Sequence, residues 1–164
     1  MQKITPFLWF DKNAEEAMNF YVEVFKDSPS RDAADSEIID IRRYPEGFNE
    51  GPMANMEGKV LTGTFKLAGQ KFMCLDGGPV FKFTPAISLY VECKDQAEID
   101  YFWEKMSADP KFEQCGWLSD KFGLSWQIIP KNMDELTKSK AGLEAMLKMK
   151  KIIIADMEKA SLGK

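Results

Sequence analysis

The stretch Cys115–Pro130, CGWLSDKFGLSWQIIP, decides how the chain is read. Two short apolar runs flank Asp120-Lys121-Phe122-Gly123, a polar turn ending in glycine, so the segment predicts a β-hairpin. Its second run carries an uncharged amide, Gln127, among Trp126, Ile128 and Ile129. That residue is either a chemical group at the end of a strand or one polar side chain in a packed wall.

Upstream of the hairpin, AISLYVEC (86–93) reads as a strand and DQAEIDYFWEKMSA (95–108) as an amphipathic helix, with FEQCGWLS (112–119) the first arm of the hairpin. The first half of the chain has the same order. ITPFLWF (4–10) is rich in β-formers, and Asp11-Lys12-Asn13 breaks it, with Asn13 placed to cap a helix. That helix is AEEAMNFYVEVF (14–25), in which Ala14, Ala17, Met18, Tyr21, Val24 and Phe25 fall on one stripe. SEIIDIRRY (36–44) reads as a strand, 45–58 as a mobile Gly-, Pro- and Asn-rich loop, and 59–76 as a hairpin turning at Ala68-Gly69. GGPVFKFTP (77–85) connects the halves. Overlaid, AEEAMNF (14–20) meets AEIDYFW (97–103), and GQKFM (69–73) meets GLSWQ (123–127), which points to an internal duplication. After Pro130 a charged, Met-rich tail places Leu143, Met146, Leu147, Ile153, Ile154 and Met157 on one stripe, predicting a helix packed on the body or on a partner.

Composition narrows the function. The 164 residues are 45% hydrophobic and 12% aromatic, the profile of a globular protein. Net charge is −4 with both signs interspersed, which gives no basic footprint for nucleic acid or a membrane surface. No apolar run is long enough to span a bilayer, and MQKITPFLWF lacks the pattern of a signal peptide. Three cysteines, Cys74, Cys93 and Cys115, have no paired spacing and fit reduced thiols in a cytoplasm. Histidine is absent, which removes the commonest general base and zinc ligand and every Ser-His or Cys-His pair.

Together, LWFDKNAEEAMNFYVEVF, KFMCLDGGPVFKF and CGWLSDKFGLSWQIIP resemble the vicinal oxygen chelate superfamily, the glyoxalase/bleomycin-resistance/dioxygenase group, in its PhnB-like, 3-demethylubiquinone-9 3-methyltransferase-like branch. The resemblance implies an α+β fold of paired βαβββ modules that form a glyoxalase-like curved mixed sheet, with a C-terminal helical tail. It makes residues 1–164 a single glyoxalase-like domain, with module one at about 1–80, module two at about 84–130 and the tail at about 131–164. It also implies a homodimer, and the unpaired cysteines make that homodimer cytoplasmic.

Metal-dependent relatives take one ligand from each of four cleft strands, usually His and Glu. With Leu89 and Val91, and Ile87 before them, under the helix, Ser88 and Tyr90 face the cleft. Ser88 and Gln127 then stand at the ligand positions of module two, and Thr5 and Met73 at those of module one. None offers an anionic oxygen, an imidazole or a thiolate, so the expectation is no metal and no cofactor.

Asp76, before Gly77-Gly78, reads either as a cleft-mouth acid or substrate anchor or as a turn aspartate bonded to the backbone that follows it. The glycine pair matches no phosphate-binding pattern. Cys74 and Cys115 read as buried thiols rather than nucleophiles. Trp9, Tyr90, Trp117, Phe81 and Phe83 are candidates to line an apolar cleft, and of Arg42 and Arg43 at most one faces it. The expected ligand-binding residues are therefore Trp9, Met73, Asp76, Ser88, Tyr90, Trp117 and Gln127, binding a small organic molecule without nucleic acid or membrane. The alternative is a metal-dependent enzyme of the glyoxalase/dioxygenase type, its metal recruited by Asp76 or Glu92. The methyltransferase name finds no support in ITPFLWFDKNAEEA, which contains no glycine.

Overall fold

The computed structural model describes residues 2–163. The chain divides into two compact units, one ending at Phe83 and the other beginning at Thr84. Each is an α+β module built on its own mixed sheet.

The first unit contains β1 (Phe7–Phe10), α1 (Ala14–Lys26), β2 (Glu37–Arg43), β3 (Val60–Leu67) and β4 (Gln70–Asp76). The strand order is β1-β4-β3-β2, with β1 parallel to β4 and the other neighbours antiparallel. The stripe read from the sequence is the buried face of α1: Ala14, Ala17, Met18, Tyr21, Val24 and Phe25. It packs on the sheet, in which Leu8, Phe10, Phe65, Phe72 and Cys74 are all buried. Phe65 stacks between Tyr21 and Phe72, at centroid distances of 6.4 and 5.5 Å. Burying rings of this size stabilises the module by about 2–3 kcal/mol each. The helix sits so close that a Cβ at Gly63 would stand 2.6 Å from the Met18 sulfur. Ala68 and Gly69 both have positive φ, 48° and 77°, the twist that a two-residue hairpin turn requires. The segment 45–58, read as a mobile loop, is anchored at its base. The Tyr44 N–H donates to Lys59 O, the Gly58 N–H donates to Tyr44 O, and Met56 is buried.

The second unit contains β5 (Ser88–Cys93), α2 (Gln96–Met106), β6 (Trp117–Ser119) and β7 (Ser125–Pro130), in the order β5-β7-β6 with β5 parallel to β7. It repeats the strand–helix–hairpin plan with one strand fewer. Where the first unit places β2, the second has a 3₁₀ turn at Pro110–Phe112. The arm expected over 112–119 shortens to Trp117–Ser119 because Cys115 and Gly116 take left-handed backbone, with φ 53° and 85°. The outer edge of β6 is already used: Trp117 and Gln114 exchange backbone hydrogen bonds of 2.8 and 3.2 Å, and the Ala108 N–H donates to Ser119 O at 3.0 Å. Asp95 accepts from the Glu98 N–H, and Glu98 in turn accepts from the Lys94 N–H, so the two carboxylates fix the start of α2. Cys93, Ile99, Phe102, Trp126 and Ile128 form the layer between α2 and the sheet, whereas Ile87, expected beneath the helix, precedes β5 and is 73% exposed. The quoted turn is organised by Asp120. Its Oδ1 accepts from the Phe122 and Leu124 N–H groups, and its Oδ2 from Trp126 Nε1 at 2.8 Å.

The tail forms α3 (Met133–Leu136), α4 (Lys140–Lys148) and α5 (Ile154–Ser161) rather than one stripe. Leu143 and Leu147 are exposed, and the anchors are Ile152 and Met157, packed with Ile129, Met133 and Leu136. The chain leaves the helix at Met149 because Met149 O and Lys150 O accept the Cys115 and Gly116 N–H groups, at 2.8 and 2.7 Å. Gln96 then holds both Ile152 O and the Ile154 N–H. The tail therefore packs on the body of its own unit. No described helix is long and apolar enough to cross a membrane.

Candidate functional site

In the second unit, the sheet face opposite α2 carries two rows of side chains fixed by register. Gln127 is paired with Tyr90 on one side and Trp117 on the other, so an amide lies directly between two aromatic rings. Two residues earlier along β7, Ser125 is paired with Ser88 and Ser119, a row of three hydroxyls. Gln127 Nε2 donates to Ser88 Oγ at 2.9 Å, which ties the rows together. Tyr90 is 54% exposed, Trp117 and Gln127 are half-buried, and Ser119 and Ser125 are buried. Burial foremost, then the carboxylates of Glu92 and Asp134, raise the Tyr90 pKa, so its hydroxyl stays protonated.

In the first unit, the corresponding face places Phe7 beside Met73 and Trp9 beside Leu75. The registers bear out the internal repeat: Met73 pairs with Phe7, two beyond Thr5, as Gln127 pairs with Tyr90, two beyond Ser88. Trp9 Nε1 donates to Gly78 O at 2.9 Å, and its ring meets Phe81 edge-on at 4.9 Å. Phe83 packs edge-on against Phe10 instead, at 5.3 Å. Arg43 forks onto Glu15 of α1 at 2.7 and 2.8 Å, on the helix side. Its neighbour Arg42 pairs with Thr62, on the opposite face.

Asp76 is 1% exposed. Its Oδ1 accepts from the Ala14 N–H and its Oδ2 from the Val60 N–H, both at 2.9 Å, and its backbone carbonyl accepts from Tyr44 Oη. The aspartate thus bonds neither the glycines that follow it nor any group on the open face. It supplies the cap that Asn13 does not, since the Asn13 side chain makes no capping hydrogen bond. Burial pushes its pKa up, against the pull of the two amides. Burial likewise pushes the Cys74 thiol up to about 12 and raises that of Cys93, leaving both protonated and unreactive.

The donor set does not suit the divalent cation of metal-dependent relatives. Ser88 and Gln127 are neutral and spent partly on each other, and Thr5 and Met73 add no anionic oxygen or imidazole. Of the two acids considered as substitutes, Asp76 has both oxygens engaged by backbone amides, and Glu92 stands exposed two residues beyond Tyr90. No group of three or more His, Cys, Asp or Glu among the described residues could hold a metal. A separate groove of about 670 Å³ is lined by Lys94, Gln96, Lys131, Asn132, Ile154 and Glu158 and includes none of the expected site residues.

Sequence reading passed over Ser119 and Ser125. Their signal was present: each sits two residues from a chosen site position, on the same side of its strand as Trp117 or Gln127.

The model of a family described as 3-demethylubiquinone-9 3-methyltransferase matches residues 2–129, stopping short of the tail. Among solved structures, the chain is similar to a PhnB protein from Bacillus cereus, provisionally described as a 3-demethylubiquinone-9 3-methyltransferase. The two are 43% identical with a TM-score of 0.61, over 79% of this chain and 99% of that one. A protein from Pseudomonas aeruginosa, 20% identical with a TM-score of 0.51, covers 77% of this chain and 95% of its own, a likeness of fold alone. No curated protein matches.

Proposed function

The chain belongs to the 3-demethylubiquinone-9 3-methyltransferase family, with PhnB-like relatives, and on that footing we propose that it binds a small organic molecule and does not transfer methyl groups. The observation that carries this reading is the Tyr90–Gln127–Trp117 row, an amide held by Ser88 between two accessible aromatic rings. Such a surface stacks a flat ligand and orients it by hydrogen bonds. Trp9 and Met73 give the open face of the first unit's own sheet an apolar surface, and Asp76 serves there by fixing the corner next to Gly77 and Gly78, on which Trp9 rests.

Methyl transfer from a nucleotide-like donor commonly uses a glycine-rich turn between the first strand and its helix. Here that turn is Asp11-Lys12-Asn13, and the first N–H of α1 is satisfied by Asp76. The turn thus has no glycine, and the first N–H of the helix is already taken. Binding takes place without a metal, in a cytoplasmic homodimer of single glyoxalase-like domains.

Thermal unfolding of purified protein tests the reading. A flat uncharged aromatic compound raises Tm, Trp117→Ala abolishes that rise, and chelators leave Tm unchanged. A stoichiometric metal that is lost in Gln127→Ala overturns it in favour of the metalloenzyme.

A further inference from the structure

Ser119 and Ser125 are 6% and 4% exposed, yet neither side chain makes a hydrogen bond among the described residues. No buried side-chain nitrogen or oxygen among those residues lacks a partner, so both hydroxyl oxygens must reach the accessible surface. A serine with nearly all of its area covered and its oxygen still reachable is recessed below its neighbours. Ser88, paired with Ser125, completes the row, and its oxygen already accepts the Gln127 amide.

The rim is built from larger groups. Tyr90, Gln127 and Trp117 stand one step along the same strands, and neither the Tyr90 hydroxyl nor Trp117 Nε1 has a hydrogen-bond partner among the described residues. Hydroxyls that reach the surface without a partner in the chain are open to a ligand that completes their bonds.

Charge narrows the ligand further. The two rows contain no Lys or Arg, and Glu92 adjoins them on β5. An anion entering here would lose hydration and gain no cation. Hydroxyls, an amide and an indole N–H instead match a partner that both donates and accepts along one edge while offering a flat face to the rings.

We propose that the Ser88–Ser125–Ser119 row is the polar floor of a binding site for an uncharged ring compound that carries hydroxyl groups along one edge. This rests on the binding reading above and names the chemistry of its ligand.

Saturation-transfer NMR on the full chain with three matched probes tests it: 4-nitrophenyl β-glucoside, which is neutral and hydroxylated; 4-nitroanisole, which is flat without hydroxyls; and 4-nitrophenyl sulfate, which is anionic. The glucoside binds best and the sulfate worst. Ser125→Ala weakens glucoside binding by about fivefold, the worth of one hydrogen bond, and leaves the anisole unaffected. Because Ser125 sits in a buried row, Ser119→Ala is measured beside it, and a native thermal transition is required of both. If the anisole binds as well as the glucoside, or the sulfate better than either, the serine floor is refuted while small-molecule binding stands. If Ser125→Ala and Ser119→Ala both keep full glucoside affinity, the floor is refuted too. If none of the probes binds, both readings fall.

Discussion

The carboxylate of Asp76 caps a helix that begins 62 residues earlier: its Oδ1 accepts the Ala14 N–H at 2.9 Å while Oδ2 holds the Val60 N–H. One buried side chain thereby fixes the start of α1, the start of β3 and the end of β4. Asp76→Ala leaves two buried amides unpaired and is expected to cost about 2–5 kcal/mol. Asp76→Asn, which keeps one acceptor, is expected to lose less. Urea unfolding measures both, and a loss below about 1 kcal/mol for the alanine variant would show that the cap is dispensable.

Gly77 follows immediately, and a Cβ there would overlap the Trp9 indole. Gly77→Ala must displace that ring, at a cost of about 1–3 kcal/mol, and the movement shows as a change in tryptophan fluorescence. Adding Trp9→Ala removes the clash, so the double variant is less destabilised than the sum of the singles. Additive losses would place the ring elsewhere.

Thiol reactivity separates the cysteines. Cys74 and Cys93 are fully buried with raised pKa values, whereas Cys115 is partly exposed. Brief alkylation of native protein at neutral pH, read by peptide mass spectrometry, is expected to label Cys115 alone. Denaturant releases the other two. Rapid native labelling of Cys74 would contradict its place beneath α1.

The Glu15–Arg43 fork lowers the Glu15 pKa from its ordinary 4.5, chiefly through the side-chain hydrogen bond. A depressed carboxylate pKa adds stability above the unfolded value, and that stability disappears as pH falls through the folded one. Glu15→Gln is therefore expected to be slightly less stable than the parent at pH 7 and to converge with it in acid. Both partners are nearly half exposed, so the gap is small and shrinks further in high salt. A gap that widens as pH falls below 4.5 would reverse the assignment.

Much of the architecture was legible because it repeats at short range. The stripe of α1, the Ala68-Gly69 turn and the shared face of Ser88 and Gln127 follow from periods of 3.6 and 2. The element order of both units, and hence the duplication, could be read the same way. Pattern reading misjudged places where a local signal competes with distant backbone. The tail stripe pointed to Leu143 and Leu147, but hydrogen bonds from Cys115 and Gly116 end the helix and bury Ile152 instead.

The sequence by itself determined that no histidine chemistry operates here and that an uncharged amide stands in the second hairpin, because residue identity and alternation need no partner. Only the tertiary structure decided that Asp76 is a cap, that Arg43 rather than Arg42 pairs with Glu15, and that Tyr90 and Trp117 flank Gln127. The physical reason is that a hydrogen-bond partner is chosen by register and packing between strands far apart in the chain, and no local period encodes that choice.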